Sequence, residues 1–296
     1  MFNNNAGIVV YADDNWLLAP SHAALQDMIN TSVEYANDHN LTFSTDKNPV
    51  KSKTKCLVFL KKQRDLLPLK LGADDLPFTD TAKHLGHYLD NSQNSIKRDM
   101  TIKRAMTVQK NNEICQEFCF SHPLTKLRLN QIYNFSYTGC QPWDLFCKEA
   151  VSIENSYNVS IRTMLGLPFN THRYLIQPLA GEPHVKQVFV KRFLTFCDSL
   201  RNSGKNVIRE TFEKIKFNVR TVTGSNLAEL SQLVDKPVQL LTPSDASKVV
   251  YAFIDNSDKF RVDFIREILD LQNGSLTLDG FNAEEYGLIL KHLCTS

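Results

Sequence analysis

The chain has 296 residues, 42% hydrophobic and 22% charged, and its 34 basic and 32 acidic side chains leave a formal net charge of +2. That balance suits a soluble globular protein of two or three domains with real apolar cores, and so small a total charge does not by itself announce nucleic acid. No run approaches the roughly 18 consecutive apolar residues of a membrane span and no basic-then-hydrophobic leader opens the chain, so no membrane partner and an intracellular place, nucleus or cytoplasm, are expected.

The first predicted element is a β-hairpin, in which Ile8, Val9 and Val10 precede, and Trp16, Leu17 and Leu18 follow, the turn Tyr11-Ala12-Asp13-Asp14. Adjacent ionised carboxylates repel, and a turn that keeps two of them relieves the repulsion with a bound cation or uses them in chemistry. Mg2+ prefers oxygen ligands and retains waters, so one or two carboxylates plus substrate phosphates make a typical site. In two-metal nucleotidyl transfer the ions lie roughly 3.5–4 Å apart, one activating the attacking oxygen and one neutralising the leaving oxygen, which calls for bridging carboxylates. Asp-Asp-Asn is also ordinary turn chemistry, because Asp and Asn bond their own backbone and tolerate unusual dihedrals. The dipeptide alone leaves both readings open.

A helix capped by Ser21 comes next, with Leu25, Met28, Ile29, Val33 and Ala36 at helical spacing on one face. Strands are predicted over residues 55–60, 67–71 and 82–89, which gives an α+β layer. Charge is segregated here. From Met1 to Asp46 there is no Lys or Arg, while Asp13, Asp14, Asp27, Glu34, Asp38 and Asp46 are acidic. Lys47, Lys51, Lys53, Lys55, Lys61, Lys62, Arg64 and Lys70 then follow with only Asp65 opposing them. Such a strip neutralises phosphates and gives salt-dependent, sequence-independent affinity, as a template-primer channel requires; a solvated lysine-rich loop has the same composition.

Residues 92–120 read as a helix with Ile96, Met100, Met106, Ile114 and Phe118 as apolar candidates, and its early part carries Lys97, Arg98, Lys103, Arg104 and Lys110. A basic helix of this kind suits a grip on a duplex backbone. A second helix over 124–137 brings Leu127, Leu129, Ile132, Tyr133 and Phe135. Helices are also predicted over 151–165, 182–203 and 207–217, with a linker of turn composition at 219–226 and a small helical subdomain over 227–296 that includes Asp255, Asp258, Asp263, Glu267 and Asp270. Seven cysteines without a CxxC pair argue against a disulfide framework or zinc ribbon. Cys115, Cys119 and His122 share one helical end, where zinc ligation and plain core cysteines compete as readings.

The order Tyr11-Ala12-Asp13-Asp14 resembles the catalytic box of reverse transcriptases, and further blocks follow it in sequence. Residues 24–43, ALQDMINTSVEYANDHNLTF, look like the helix and return segment after this box in non-LTR, LINE-type retrotransposon polymerases. KSKTKCLVF, residues 51–59, resembles the lysine-bearing block that closes the palm, and KHLGHYLD, residues 83–90, is similar to the primer-grip block, with Leu85 and Gly86 as its Leu-Gly pair. YTGCQPW, residues 137–143, and SYNVSIRTMLGLPFNTHRYLI, residues 156–176, look like the thumb and post-thumb region. The resemblance covers residues 6 to 200 or so, and the order of blocks carries it more than any one block.

The resemblance implies an RNA-directed DNA polymerase with Mg2+, extending a DNA primer on an RNA template with deoxynucleotides by two-metal nucleotidyl transfer. Asp13 and Asp14 fall on the two carboxylates of the metal box, Asp13 being the better placed for direct coordination, and Tyr11 and Ala12 shape the turn. Lys51 or Lys53 matches the region of a lysine that protonates departing pyrophosphate; a plain phosphate contact is the alternative, and the block does not choose between the two lysines. Lys55, Lys61, Lys62, Arg64, Lys97, Arg98, Lys103 and Arg104 become candidate contacts to nucleic acid. Tyr157 stands where the family has Trp, and Gln177 where an acid is common. Thr171, His172 and Arg173 read as a structural cap or a phosphate contact, with no Ser-His-Asp set around them. The implied layout is a partial palm over residues 1–90, a thumb-like region over 91–150, a post-thumb region over 151–218 and the subdomain over 227–296.

The family's fingers, its first metal-binding aspartate and its nucleotide-binding block lie upstream of the box, and ten residues precede Tyr11 here. Loss of a bridging carboxylate commonly costs orders of magnitude in rate, so this stretch alone is expected not to polymerise DNA. A non-catalytic nucleic-acid-binding module and a degenerate relic are the alternatives. The relic's sign would be exposed apolar palm surface.

Overall fold

A computed structural model describes residues 6–44, 46, 51–59, 67–91, 95–134, 137 and 139–254. The fold is mixed α+β, and the chain divides into two compact units, Met1–Ser95 and Ile96–Ser296.

In the first unit β1 (Gly7–Tyr11) pairs antiparallel with β2 (Asp14–Leu18), Gly7 opposite Leu18 and Tyr11 opposite Asp14. The two-residue connection, Ala12 and Asp13, places Ala12 at φ 54°, as hairpin turns that match the strand twist require. α1 (His22–Asp38) starts at Ser21, whose hydroxyl accepts from the Ala24 amide at 3.2 Å, a cap worth about 1 kcal/mol. The expected face is the packed one: Ile29 and Ala36 are buried, with Leu25, Met28 and Val33 half-buried. Gln26 docks this helix on β4 (Leu69–Leu71), its amide donating to the Lys70 carbonyl and accepting from the Lys70 amide, both at 2.8 Å.

The strands that follow are shorter than the sequence suggests. β3 (Cys56–Leu57) runs parallel to β6 (Phe78–Thr79), a departure from the antiparallel pairing expected throughout. β4 pairs antiparallel with β5 (Asp74–Leu76). The strand predicted over 82–89 is a hairpin instead, β7 (Thr81–His84) and β8 (His87–Asp90), because Leu85 (φ 46°) and Gly86 (φ 82°) turn the chain between them. Among the described residues these ladders stay two-stranded. Ile29, Cys56, Leu69 and Leu76 form the buried core, and the Trp16 and His84 rings meet at 4.3 Å between centroids.

The second unit is built from α2 (Ser95–Glu117), α3 (Pro123–Asn134), α4 (Lys148–Leu165), α5 (Arg173–Leu179), α6 (Val185–Arg201), α7 (Asn206–Ile215), α8 (Val222–Val234) and α9 (Ala246–Phe253). α6 is its axis: Val185, Phe189, Val190, Phe193, Leu194 and Cys197 recur at helical spacing, are all buried, and pack on α4, α7 and α9. Phe189 meets Tyr137 and Trp143 edge-on, at centroid distances of 4.9 and 5.3 Å. One continuous apolar cluster runs from Met100 to Val249, across residues 150 and 218.

Three local readings change here. The linker expected at 219–226 carries the start of α8, whose cap is the Thr221 hydroxyl accepting from the Gly224 amide at 3.0 Å. On α2 the buried stripe is Met100, Thr107 and Ile114, two turns apart, so Met106 is left 51% exposed. On α3 the buried positions are Leu127 and Asn130, while Ile132 and Tyr133 face out. The part of the predicted C-terminal subdomain beyond residue 254 lies outside the described residues, as does Phe135.

Candidate functional site

The hairpin tip holds the carboxylate pair. Asp13 occupies the second turn position and Asp14 opens β2 opposite Tyr11; residues 11–14 are all exposed. Neither carboxylate has a hydrogen bond or ion pair with another described residue. Among the described residues no three His, Cys, Asp or Glu side chains gather into a metal-binding group. Two exposed carboxylates fit one Mg2+ completed by substrate phosphates and waters, but they do not supply the bridging set of a two-ion centre.

The lysines after the hairpin are presented by a closed loop. The Thr54 amide and hydroxyl both donate to the Ser44 carbonyl, at 3.3 and 3.0 Å, and the buried Ser52 hydroxyl donates to the Thr54 carbonyl at 2.6 Å. With Ser52 turned inward, Lys51 and Lys53 on either side face solvent; Lys55 is half-buried. No hydrogen bond or ion pair joins either exposed lysine to Asp13 or Asp14. Lys47, Lys61, Lys62 and Arg64 lie outside the described residues. Lys70 pairs with Asp75 at 2.6 Å, a surface contact worth about 0–1 kcal/mol. Leu85 and Gly86 form the tip of the second hairpin, with Leu85 48% exposed.

In the second unit, Lys97, Arg98 and Arg104 of α2 are exposed, and Arg104 Nε donates to Ser156 Oγ at 2.7 Å. Lys103 has a different role from the one its sequence suggests. It is largely buried, ion-pairs with Asp99 at 3.0 Å and lies 5.4 Å over the Trp143 ring, while Asp99 also accepts from Trp143 Nε1 at 3.0 Å. That arrangement anchors α2 to the core. Cys115, Cys119 and His122 form no metal group; His122 Nδ1 instead accepts from the Leu124 amide at 3.3 Å, capping α3. Thr171 is structural, its hydroxyl donating to Pro168 O at 2.8 Å and its carbonyl accepting from Arg162 at 2.6 Å.

Sequence reasoning misses two features of the second unit. Tyr157 donates to Glu182 Oε2 at 2.5 Å and accepts from Asn130 Nδ2 at 3.2 Å, and Gln177 joins Asn158 (2.8 Å) to the Val185 amide (3.0 Å). Burial pushes the Glu182 carboxyl up to about 7, against the lowering effect of its hydrogen bonds from Tyr157 and Gln131. The second feature is a cavity of about 190 Å3 lined by Glu154, Arg173, His184 and Lys186 together with Val151, Val250 and Phe253. Its sequence signal is Glu154 itself, a charge placed beside the apolar stripe Ala150, Ile153, Tyr157 and Ile161 of α4.

Comparison with protein-family profiles, with curated proteins and with solved structures finds no match for this chain.

Proposed function

We propose that this chain is the C-terminal part of an RNA-directed DNA polymerase of the non-LTR retrotransposon type. The observation that carries the reading is the box Tyr11-Ala12-Asp13-Asp14 in a tight antiparallel hairpin with both acids exposed, and the ordered blocks after it that resemble the palm, primer grip and thumb support it. Asp13, with Asp14 beside it, would hold Mg2+ that neutralises charge on the reacting phosphates. Lys51 and Lys53, both exposed, are candidates for the proton donor to pyrophosphate or for phosphate contacts.

Primer extension by the polymerase that contains this chain tests the reading. Extension of a primed RNA template with Asp13 and Asp14 intact, abolished in the double alanine variant, is the expected result; no extension, or the same extension by both forms, sinks it.

A second reading, a non-catalytic nucleic-acid-binding module, is favoured by the exposed Lys97, Arg98 and Arg104 of α2. Filter binding should then weaken steeply with salt, and charge reversal at these three positions should flatten the dependence by about one slope unit for each phosphate no longer neutralised. Affinity indifferent to both would exclude it.

A further inference from the structure

The turn between β7 and β8 is closed by two histidines. His84 ends β7 and His87 opens β8, and the register makes them direct partners across Leu85 and Gly86, whose φ angles are both positive, 46° and 82°. Two such residues in a row form the tight turn whose twist suits a hairpin, so the pairing is set by the backbone and not by a loose loop. Directly opposed residues of an antiparallel pair project to the same face, with Cβ atoms about 4.5–5.5 Å apart. Two imidazole nitrogens bound to one ion at about 2.1 Å each lie on the order of 3 Å apart, which opposed histidines reach by side-chain rotation alone.

The surroundings suit ligation. The His84 ring lies against Trp16 of β2, with 4.3 Å between centroids and a tilt of 42°. Rings this close touch through their faces, whereas the lone pair that binds a metal lies in the ring plane, so Trp16 orients the imidazole without covering its nitrogens. Side chains alternate along each strand, and Lys83 and Tyr88 belong to the opposite face, where the Lys83 ammonium lies 5.5 Å over the Tyr88 ring. The cation next to His84 in sequence is thus drawn away from the histidine face. Both histidines are half-buried, open enough to admit an ion. Ligating histidines ordinarily donate their second ring N–H to a neighbouring group, so a hydrogen bond made by either ring is compatible with ligation.

We propose that His84 and His87 form a two-imidazole chelate for a divalent transition-metal ion, with the remaining coordination positions open to water or to an atom of a bound molecule. Imidazole suits Cu2+, Ni2+ and Zn2+, and Cu2+ binds tightest of the three at a given site. Mg2+ and Ca2+ are excluded by their demand for oxygen ligands. The site does not depend on the polymerase reading, which assigns Mg2+ to the carboxylates of the first hairpin.

Trp16 is the reporter. In a Trp143→Phe background it is the one tryptophan left of two, and Cu2+ held by the ring beside it should quench its fluorescence. Titration of the full chain with CuCl2 is expected to saturate near one equivalent, and excess MgCl2 should leave the curve unchanged. His87→Gln keeps the contact of His84 with Trp16 and removes one of two ligands, so the Cu2+ needed for half-quenching should rise at least about tenfold. His39→Gln, on α1 beside Tyr35, should leave it where it was. The urea midpoint of the metal-free His87→Gln chain, read on Trp16, shows whether the first unit still folds. If it does not, the parent chain decides: with substoichiometric Cu2+ the ring resonances of His84 and His87 should broaden before those of the other histidines, of which the chain has eight in all. Quenching that never saturates, that MgCl2 abolishes, that a folded His87→Gln chain leaves unchanged or that His39→Gln weakens as much, or broadening spread alike over all histidines, overturns the proposal.

Discussion

The buried apolar cluster of the first unit holds four of the described residues, Ile29, Cys56, Leu69 and Leu76, whereas the second buries a continuous cluster that includes Trp143, Tyr157, Phe193 and Phe212. The apolar residues of β1 do not join the smaller core: Ile8, Val9 and Val10 are each more than half exposed. A two-stranded ribbon has two faces and one helix to cover them, so one face stays wet unless a further layer arrives. Helices that wrap an axis such as α6 leave no such face. The two units should therefore differ in stability, and the two tryptophans, Trp16 and Trp143, report on one unit each.

The largest effect is expected in the second unit's core. Phe193 is fully buried on α6, and Phe193→Ala should cost about 4 kcal/mol in a urea titration followed by helical circular dichroism. In a Trp143→Phe background the Trp16 fluorescence transition should stay where it was. A joint shift of both signals would mean that the units unfold as one, and the contrast between them would collapse.

Next in size is a pH effect confined to the second unit. Glu182 carries a pKa of about 7 in the fold against an ordinary 4.5, burial being the main cause. Its protonated form is therefore favoured by folding. The stability it contributes is complete below about pH 4.5 and drains away as pH rises through about 7, a total of roughly 3 kcal/mol. Glu182→Gln keeps the shape without the proton, so the stability difference between variant and parent should move by about that amount in the variant's favour between pH 4.5 and 7.5. Urea midpoints for both proteins across that range read it directly, and parallel curves would show that Glu182 does not titrate in the window.

Which parts of the molecule are legible in the sequence follows from how local their causes are. Apolar triplets around a four-residue turn, and a Ser cap before an apolar 3.6-residue repeat, announce β1, β2 and α1, because all the determining residues are neighbours. The break at Leu85 escapes such reasoning, since a non-glycine residue at φ 46° is an exception that alternation does not encode. The start of α8 reads as a linker because Thr221 and Gly224 are turn residues by composition; only the tertiary surroundings of Gly224 show that it is a packing position. The exposed Asp13 and Asp14 are readable as a pair, whereas Lys103 reads as a phosphate contact because its partner Trp143 is distant in sequence. The cavity around Glu154 and Lys186 joins four helices, α4, α5, α6 and α9, and is out of reach for the same reason.

The close packing at Gly224 supplies a smaller test. A Cβ at this position would lie 2.2 Å from the Asn218 carbonyl oxygen and 2.6 Å from that of Ile215, so backbone rather than a flexible side chain would have to move. Gly224→Ala should cost about 2 kcal/mol, seen as a lower melting temperature of the second unit's helical signal, even though alanine is the better helix former. A neutral or stabilising result would mean that the junction of α7 and α8 relaxes freely, and the second unit would be looser than its buried core implies.

The smallest expected effect sharpens the contrast from the other side. Val9 pairs with Trp16 across the first hairpin and is 55% exposed, so Val9→Lys removes little buried area and should change stability by less than about 0.5 kcal/mol. A charge on an open apolar edge also discourages edge-to-edge pairing, so light scattering should show the variant no more self-associated than the parent chain at the same concentration. The two readouts are informative together. A drop of roughly 2 kcal/mol or more would place Val9 inside a packed layer, because only a desolvated charge costs that much at a strand position. β1 would then be the covered inner strand of a sheet, and the small core of the first unit would have been measured without its other half.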